Sequence, residues 1–239
     1  MSRSRSPTTG SRTAAAALLA LAAASVLTAL AAASAGAAPW PWRSVHAAGD
    51  RVRVQGTVAD PAGQPLAGLT VELEAWNPSF DWSSWSTETG PVERRSTRSS
   101  ERGEFGLDWT WDPGHRRFDL VARLREEVAG RTLDLELARV DVTERMTGSA
   151  SVAAALVVER ADLVRRARAF LAALASDDER RAWRDLGLPE RVERVESPLG
   201  DEAAWWYFAA GRVARFRDGR LVEVETFAPV RPVGGEAEP

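Results

Sequence analysis

The segment RVRVQGTVADPAGQPLAGLTVELEA, Arg51–Ala75, carries two strands and the turn between them. Val52, Val54, Gly56 and Val58 alternate with Arg53, Gln55, Thr57 and Ala59, the period-2 pattern of a half-buried strand. Asp60-Pro61-Ala62-Gly63-Gln64-Pro65 is a turn-rich connection. Leu69, Val71, Leu73 and Ala75 then alternate with Thr70, Glu72 and Glu74 as a second strand. Two short strands around a Pro/Gly turn, outside any helical pattern, predict a β-sandwich.

The pattern continues downstream. Phe105, Leu107, Trp109 and Trp111 alternate after the Glu101-Arg102-Gly103-Glu104 turn, and Phe118, Leu120, Ala122 and Leu124 after Asp112-Pro113-Gly114. Leu133, Leu135, Leu137 and Val140 follow the Gly130 turn, and Ser151–Val158 closes the set. About seven short strands at this spacing predict an antiparallel, Ig-like sandwich over residues 51–158. Between Trp76 and Ser96, residues 77–95 are expected to form a long irregular loop.

After Val158 the period changes. Leu163, Val164, Ala167, Phe170, Leu171 and Leu174 share one face of an amphipathic helix. Ser176-Asp177-Asp178-Glu179 is a capping box opening a second helix, which Gly187 and Pro189 end. Trp205–Phe208, Val213–Phe216 and Leu221–Phe227 are strand-like, the last two joined by an Asp218-Gly219 hairpin signal. The expectation is a mainly β chain: the sandwich, then a small α+β domain over residues 161–228, two helices on an antiparallel sheet. The tail 229–239, rich in Pro, Gly and Glu, is expected to be disordered.

The N-terminus has the pattern of a secretory signal over residues 1–38. Arg3, Arg5 and Arg12 precede an Ala/Leu-rich run, Ala14–Ala33, and small residues end at Gly36-Ala37-Ala38. The expected location is periplasmic or extracellular; an uncleaved segment anchoring the chain to the membrane is the alternative. Removing the three signal arginines leaves 28 basic against 34 acidic residues, which argues against nucleic acid as a partner. Residues 39–50 read as an extended lead-in.

Cysteine and lysine are absent, so disulfides, thiol catalysis, Schiff bases and P-loop chemistry are excluded. His46 and His115 are the two histidines and have no ligand spacing, and no G-x-S-x-G elbow occurs. No catalytic residue, metal or cofactor is expected. Glu101, Glu104 and Asp108 near one turn could bind Ca²⁺ or act as acid and base, or simply be a solvated hairpin balanced by Arg94, Arg95, Arg98 and Arg102. Those arginines could alternatively meet an anionic polymer. The sharpest candidate is aromatic: Trp76, Phe80, Trp82 and Trp85 lie among Asn77, Asp81, Ser83, Ser84 and Ser86. Indole faces beside short polar groups suit a sugar ring or a partner surface, or else the tryptophans fold back over the sandwich edge.

Gly56-Thr57-Val58, Asp60, Gly63, Pro65-Leu66, Gly68 and Val71-Glu72-Leu73 resemble the opening motif of the carboxypeptidase regulatory-like, transthyretin-like domain family. Gly103-Glu104-Phe105 matches that family's later turn, with Arg102 where the family has aspartate. Leu186-Gly187-Leu188-Pro189, Trp206-Tyr207 and Arg215–Leu221 resemble, less specifically, the BamE/SmpA-like small envelope domain, two helices on a three-stranded sheet, without its lipid-bearing cysteine. The first resemblance implies a non-catalytic accessory or adhesion module. The expected role is therefore an exported interaction or structural module of the bacterial cell envelope that binds a protein partner. The alternative is a carbohydrate-binding accessory module using the 76–85 segment.

Overall fold

Strands that are apolar on one face must stack that face against another sheet or a helix, and this chain does both. In the computed structural model, which describes residues 44–81, 86–198 and 200–230, the sandwich half runs β1 (Arg51–Ala59), β2 (Thr70–Trp76), β3 (Pro78–Asp81), β4 (Ser86–Thr89), β5 (Glu93–Arg98), β6 (Glu104–Thr110), β7 (Arg117–Val128), β8 (Arg131–Asp141), α1 (Thr143–Gly148) and β9 (Ser151–Val157). The C-terminal half adds α2 (Ala161–Ala172), α3 (Asp177–Leu186), β10 (Arg191–Val195), β11 (Glu202–Tyr207), β12 (Arg212–Arg217) and β13 (Arg220–Thr226). The described residues belong to one compact unit, Ser44–Pro239. The fold is mainly β, a sandwich followed by a small α+β part.

Sheets β6-β1-β9 and β5-β2-β7-β8 face each other. Val52, Val54 and Val58 of β1, Val71, Leu73 and Ala75 of β2, and Phe118, Leu120, Ala122 and Leu124 of β7 are all buried between them. Gly56 serves this packing rather than a turn: a Cβ there would sit 1.7 Å from the Ala154 carbonyl oxygen of β9. Gly103 does serve a turn, at φ +73°, with the Val58 carbonyl oxygen 2.4 Å from where a Cβ would be.

Two local expectations change. β9 pairs parallel to β1, not antiparallel. The chain leaves β8 at Asp141 and crosses through α1, whose Met146 is fully buried, so β9 enters from the same end as β1. Within 77–95, the expected irregular loop is in part a hairpin. β3 pairs antiparallel with β4, and the Gly90 N–H donates to the Asn77 carbonyl at 3.0 Å. Four-residue strands are too short for a period of two to register.

In the C-terminal half, Val164, Ala167, Phe170 and Leu171 of α2 are buried. The Ser176 hydroxyl accepts from the Glu179 N–H at 3.0 Å while the Glu179 carboxylate accepts from the Ser176 N–H, completing the predicted capping box. Asp218 and Gly219 turn at φ 48° and 73°, as an Asp-Gly hairpin requires. The sheet has order β10-β11-β12-β13, one strand more than the three expected. The addition, β10, reads RVERV and is exposed on both faces, so it lacks the alternation that betrays a strand.

One buried cluster runs through both halves. At the junction the Trp183 indole N–H donates to the Val128 carbonyl at 2.9 Å, and the Arg131 guanidinium lies 5.3 Å from the indole centroid. No helix among the described residues is long and apolar enough to cross a membrane. The signal segment 1–38 and residues 231–239 lie outside the described residues.

Candidate functional site

Of the four aromatic candidates, Trp76 ends β2. Its indole N–H donates to Asp119 Oδ2 at 2.9 Å, and Arg117 lies 6.0 Å from the ring centroid. The side chain is thus tied to the sheet face. Phe80 is on the backbone of β3, and Trp82 and Trp85 lie outside the described residues.

The other candidates are dispersed. Glu101, Glu104 and Asp108 are exposed, and among the described residues no three His, Asp or Glu side chains come together as a metal-holding group. The His46 Nε2 sits 3.0 Å from the Met146 carbonyl oxygen, with its ring 4.9 Å from that of Trp111. His115 is enclosed by Trp109 and Phe118, 3.9 Å from carboxylates of both Glu93 and Asp112.

What sequence reasoning missed lies on the outer face of β5-β2-β7-β8. Glu72 and Glu74 point away from the core yet are only 3% and 4% exposed. Arginines from three neighbouring strands cover them. Glu74 accepts from Arg94 and Arg139, each at 2.9 Å, and Glu72 accepts from Arg125 at 2.8 Å. Arg123 lies 3.1 Å from Glu72, too angled for a hydrogen bond, and 2.9 Å from Glu136. Asp134 and Asp119 extend the network to Arg125 and Arg139. Burial pushes the Glu74 carboxyl up, but the two arginine hydrogen bonds outweigh it and hold it below the ordinary 4.5. Asp134 is likewise held low against burial by Arg125 and Arg123, and Glu136 is held low chiefly by its Arg139 hydrogen bond. Beneath the arginine stems Val121 is completely buried. Arg94, one of the possible polymer contacts, is therefore committed internally.

A different arrangement lies between α2 and β10. The side chains of Leu163, Phe170, Leu188, Pro189 and Val192 line a groove of about 590 Å³. Arg160 at the N-cap of α2, Arg166 within it, and Arg191 and Arg194 from the strand stand around it. Arg166 meets Asp162 at 2.9 Å and Arg191 meets Glu193 at 2.7 Å, while Arg194 is held inward, 3.7 Å from the buried Glu179 carboxylate and donating to the Ala173 carbonyl at 3.3 Å. Glu190, the acidic lining residue, is already engaged, accepting from the Phe208 and Ala209 backbone N–H groups. Sheet topology places β10 at the edge, hydrogen-bonded on one side to β11. The groove thus combines an apolar floor, a basic rim and an unpaired strand edge.

No protein-family model matches the chain, and no curated protein matches it. Among solved structures it is similar to a 9R-lipoxygenase from Cyanothece PCC8801, at TM-score 0.33 and 9% identity over 51% of this chain and 18% of that one. A 3-chlorocatechol 1,2-dioxygenase from Rhodococcus opacus 1CP aligns at TM-score 0.27 and 16% identity, over 51% of this chain and 65% of that one. The C-terminal domain of the shaft pilin SpaA from Lactobacillus rhamnosus GG aligns at TM-score 0.25 and 12% identity, over 46% and 98%. The chain spans less than two thirds of either enzyme, and at these TM-scores none of the three assigns an activity.

Proposed function

We propose that the chain is an exported interaction or structural module of the bacterial cell envelope that binds a protein partner. The observation that carries this reading is the α2–β10 groove, because apolar lining, flexible cationic rim and an open strand edge are together what a partner polypeptide needs. The arginine-rich n-region, apolar run and small-residue end of residues 1–38 support export. Gly56 and Gly103, each at a position a Cβ would block, support reading residues 51–158 as a carboxypeptidase regulatory-like, transthyretin-like domain. Two helices on an antiparallel sheet support, more loosely, the BamE/SmpA-like reading of residues 161–228. The carbohydrate-binding alternative gains nothing from Trp76, whose indole N–H and ring already have partners within the chain.

The test is photo-cross-linking in the native envelope from Leu163, with a control cross-linker at exposed Glu104. A protein captured from Leu163 alone, which rebinds when purified, is the expected result. Glycan-array binding lost in Trp82→Ala/Trp85→Ala, with no protein captured, would replace this reading by the carbohydrate one. N-terminal sequencing of the exported protein checks the signal: an intact Met1 would overturn its cleavage.

A further inference from the structure

We infer that the α2–β10 groove takes an acidic, extended segment of the partner as a fifth strand alongside β10. This deepens the partner-binding reading and rests on it. Three independent features of the groove converge on such an occupant. The first is the backbone: β10 pairs with β11 on one side, so alternate N–H and C=O groups on the other side need hydrogen-bond partners. A lipid chain cannot supply them, whereas an added strand does.

The second is side-chain geometry. In the β10–β11 register Val192 lies opposite Trp205, which is buried, and Arg191 opposite the half-buried Trp206. Val192 and Arg194 therefore share the sheet face covered by the helices, while Arg191 and Glu193 share the other. A strand laid along β10 alternates in the same way. Every second side chain enters the space lined by Leu163, Phe170 and Leu188, and the intervening ones emerge beside Arg191. Five residues of strand span about 16 Å and the twelve residues of α2 about 18 Å, so helix and strand edge are matched in length.

The third is charge. Arg166 and Arg191 have side chains 63% and 64% exposed, each paired with one exposed carboxylate. Such pairs contribute little and exchange readily, so Arg191 can turn to carboxylates that emerge on its own face of the incoming strand, while Arg166 adds positive field from the helix side. The preferred segment alternates apolar and acidic residues.

The probe is an acetylated, amidated peptide of four Val-Glu repeats, titrated against the signal-free protein by calorimetry. It should bind at least tenfold more tightly than a Val-Lys peptide of the same length. N-methylation of the amides in one alternate set should abolish binding, and methylation of the other set should not, because a strand pairs through one edge. Arg166→Glu/Arg191→Glu should weaken Val-Glu binding at least tenfold and improve Val-Lys binding, a gain that misfolding cannot imitate. Equal tolerance of both methylation patterns, or equal affinity for the two peptides, overturns the inference. So does binding of anionic phosphatidylglycerol vesicles at this groove without peptide binding. If both peptides fail while a protein is still captured from Leu163, the strand inference falls and the partner-binding reading stands.

Discussion

Two arginine-rich surfaces of this protein use the same residue in opposite ways. On the outer face of β5-β2-β7-β8, arginines 94, 123, 125 and 139 close over two almost fully buried carboxylates, Glu72 and Glu74. Around the α2–β10 groove, Arg166 and Arg191 pair with exposed neighbours and enclose apolar side chains instead. The first surface is electrostatically saturated, and any anion approaching it must displace a buried carboxylate. The second retains cationic capacity beside a strand edge. Counting arginines along the sequence cannot separate these surfaces, because what distinguishes them is the carboxylate across the strand.

The closed surface is most vulnerable at Glu74. Glu74→Ala takes the carboxylate from Arg94 and leaves Arg139 with Glu136 and Asp119, and losing one member of a buried ion network costs about 2–4 kcal/mol once the half-exposed arginines are allowed for. Urea unfolding should show the loss with groove binding intact. A change below about 0.5 kcal/mol would mean the face is ordinary surface. The same carboxylates set the acid limit. Glu74, Asp134 and Glu136 are held below their ordinary values in the folded state, so each contributes stability that is present above its unfolded pKa. That stability disappears as pH falls through the folded one. The unfolding free energy should stay level above about pH 5 and decline below about pH 4.5, less steeply in Glu74→Ala.

Trp76 sits at the margin of the saturated face, bound to Asp119. Trp76→Phe keeps an aromatic ring for stacking and deletes the hydrogen bond to Asp119. The expected loss is about 1 kcal/mol, read by thermal unfolding. Unchanged stability with lost sugar binding would return the residue to the carbohydrate reading.

The sandwich was legible because its strands have one wet and one dry face, as at Val52, Val54 and Val58, and the helices because α2 carries an apolar stripe and α3 a complete capping box. β10 was not, because an edge strand exposed on both faces has no alternation to read. Nor was the parallel β1–β9 pair, since direction depends on the α1 crossover rather than on either strand. The candidate site was legible only in pieces. Leu163 and Phe170 fall on the predicted helix face and Leu188-Pro189 at the predicted helix stop, but nothing local places them beside Arg191. Alternation puts Glu72 and Glu74 on the polar side of β2 and says nothing of their burial, because their covering arginines are 20 to 65 residues away in sequence. Aromatic density marks Trp76 in the sequence, although that indole is held within the fold.

The smallest effect tests the contrast from the other side. Arg166→Glu/Arg191→Glu reverses two charges, yet it removes only exposed pairs worth a few tenths of a kcal/mol each. Arg166→Glu introduces i−4 repulsion against Asp162 of similar size. The urea midpoint should therefore correspond to a change within about 0.5 kcal/mol, and the acid limit should stay where the saturated face sets it. Salt separates the two surfaces again. Raising ionic strength from 0.05 M to 0.5 M shortens the screening length to a few ångströms, which weakens acidic-peptide binding at the groove and leaves the contribution of buried Glu72 and Glu74 nearly intact. If the groove double variant instead destabilised the protein as strongly as Glu74→Ala, its arginines would be structural too. The distinction between a closed and an open arginine surface would then be lost, and with it the ground for binding at the groove.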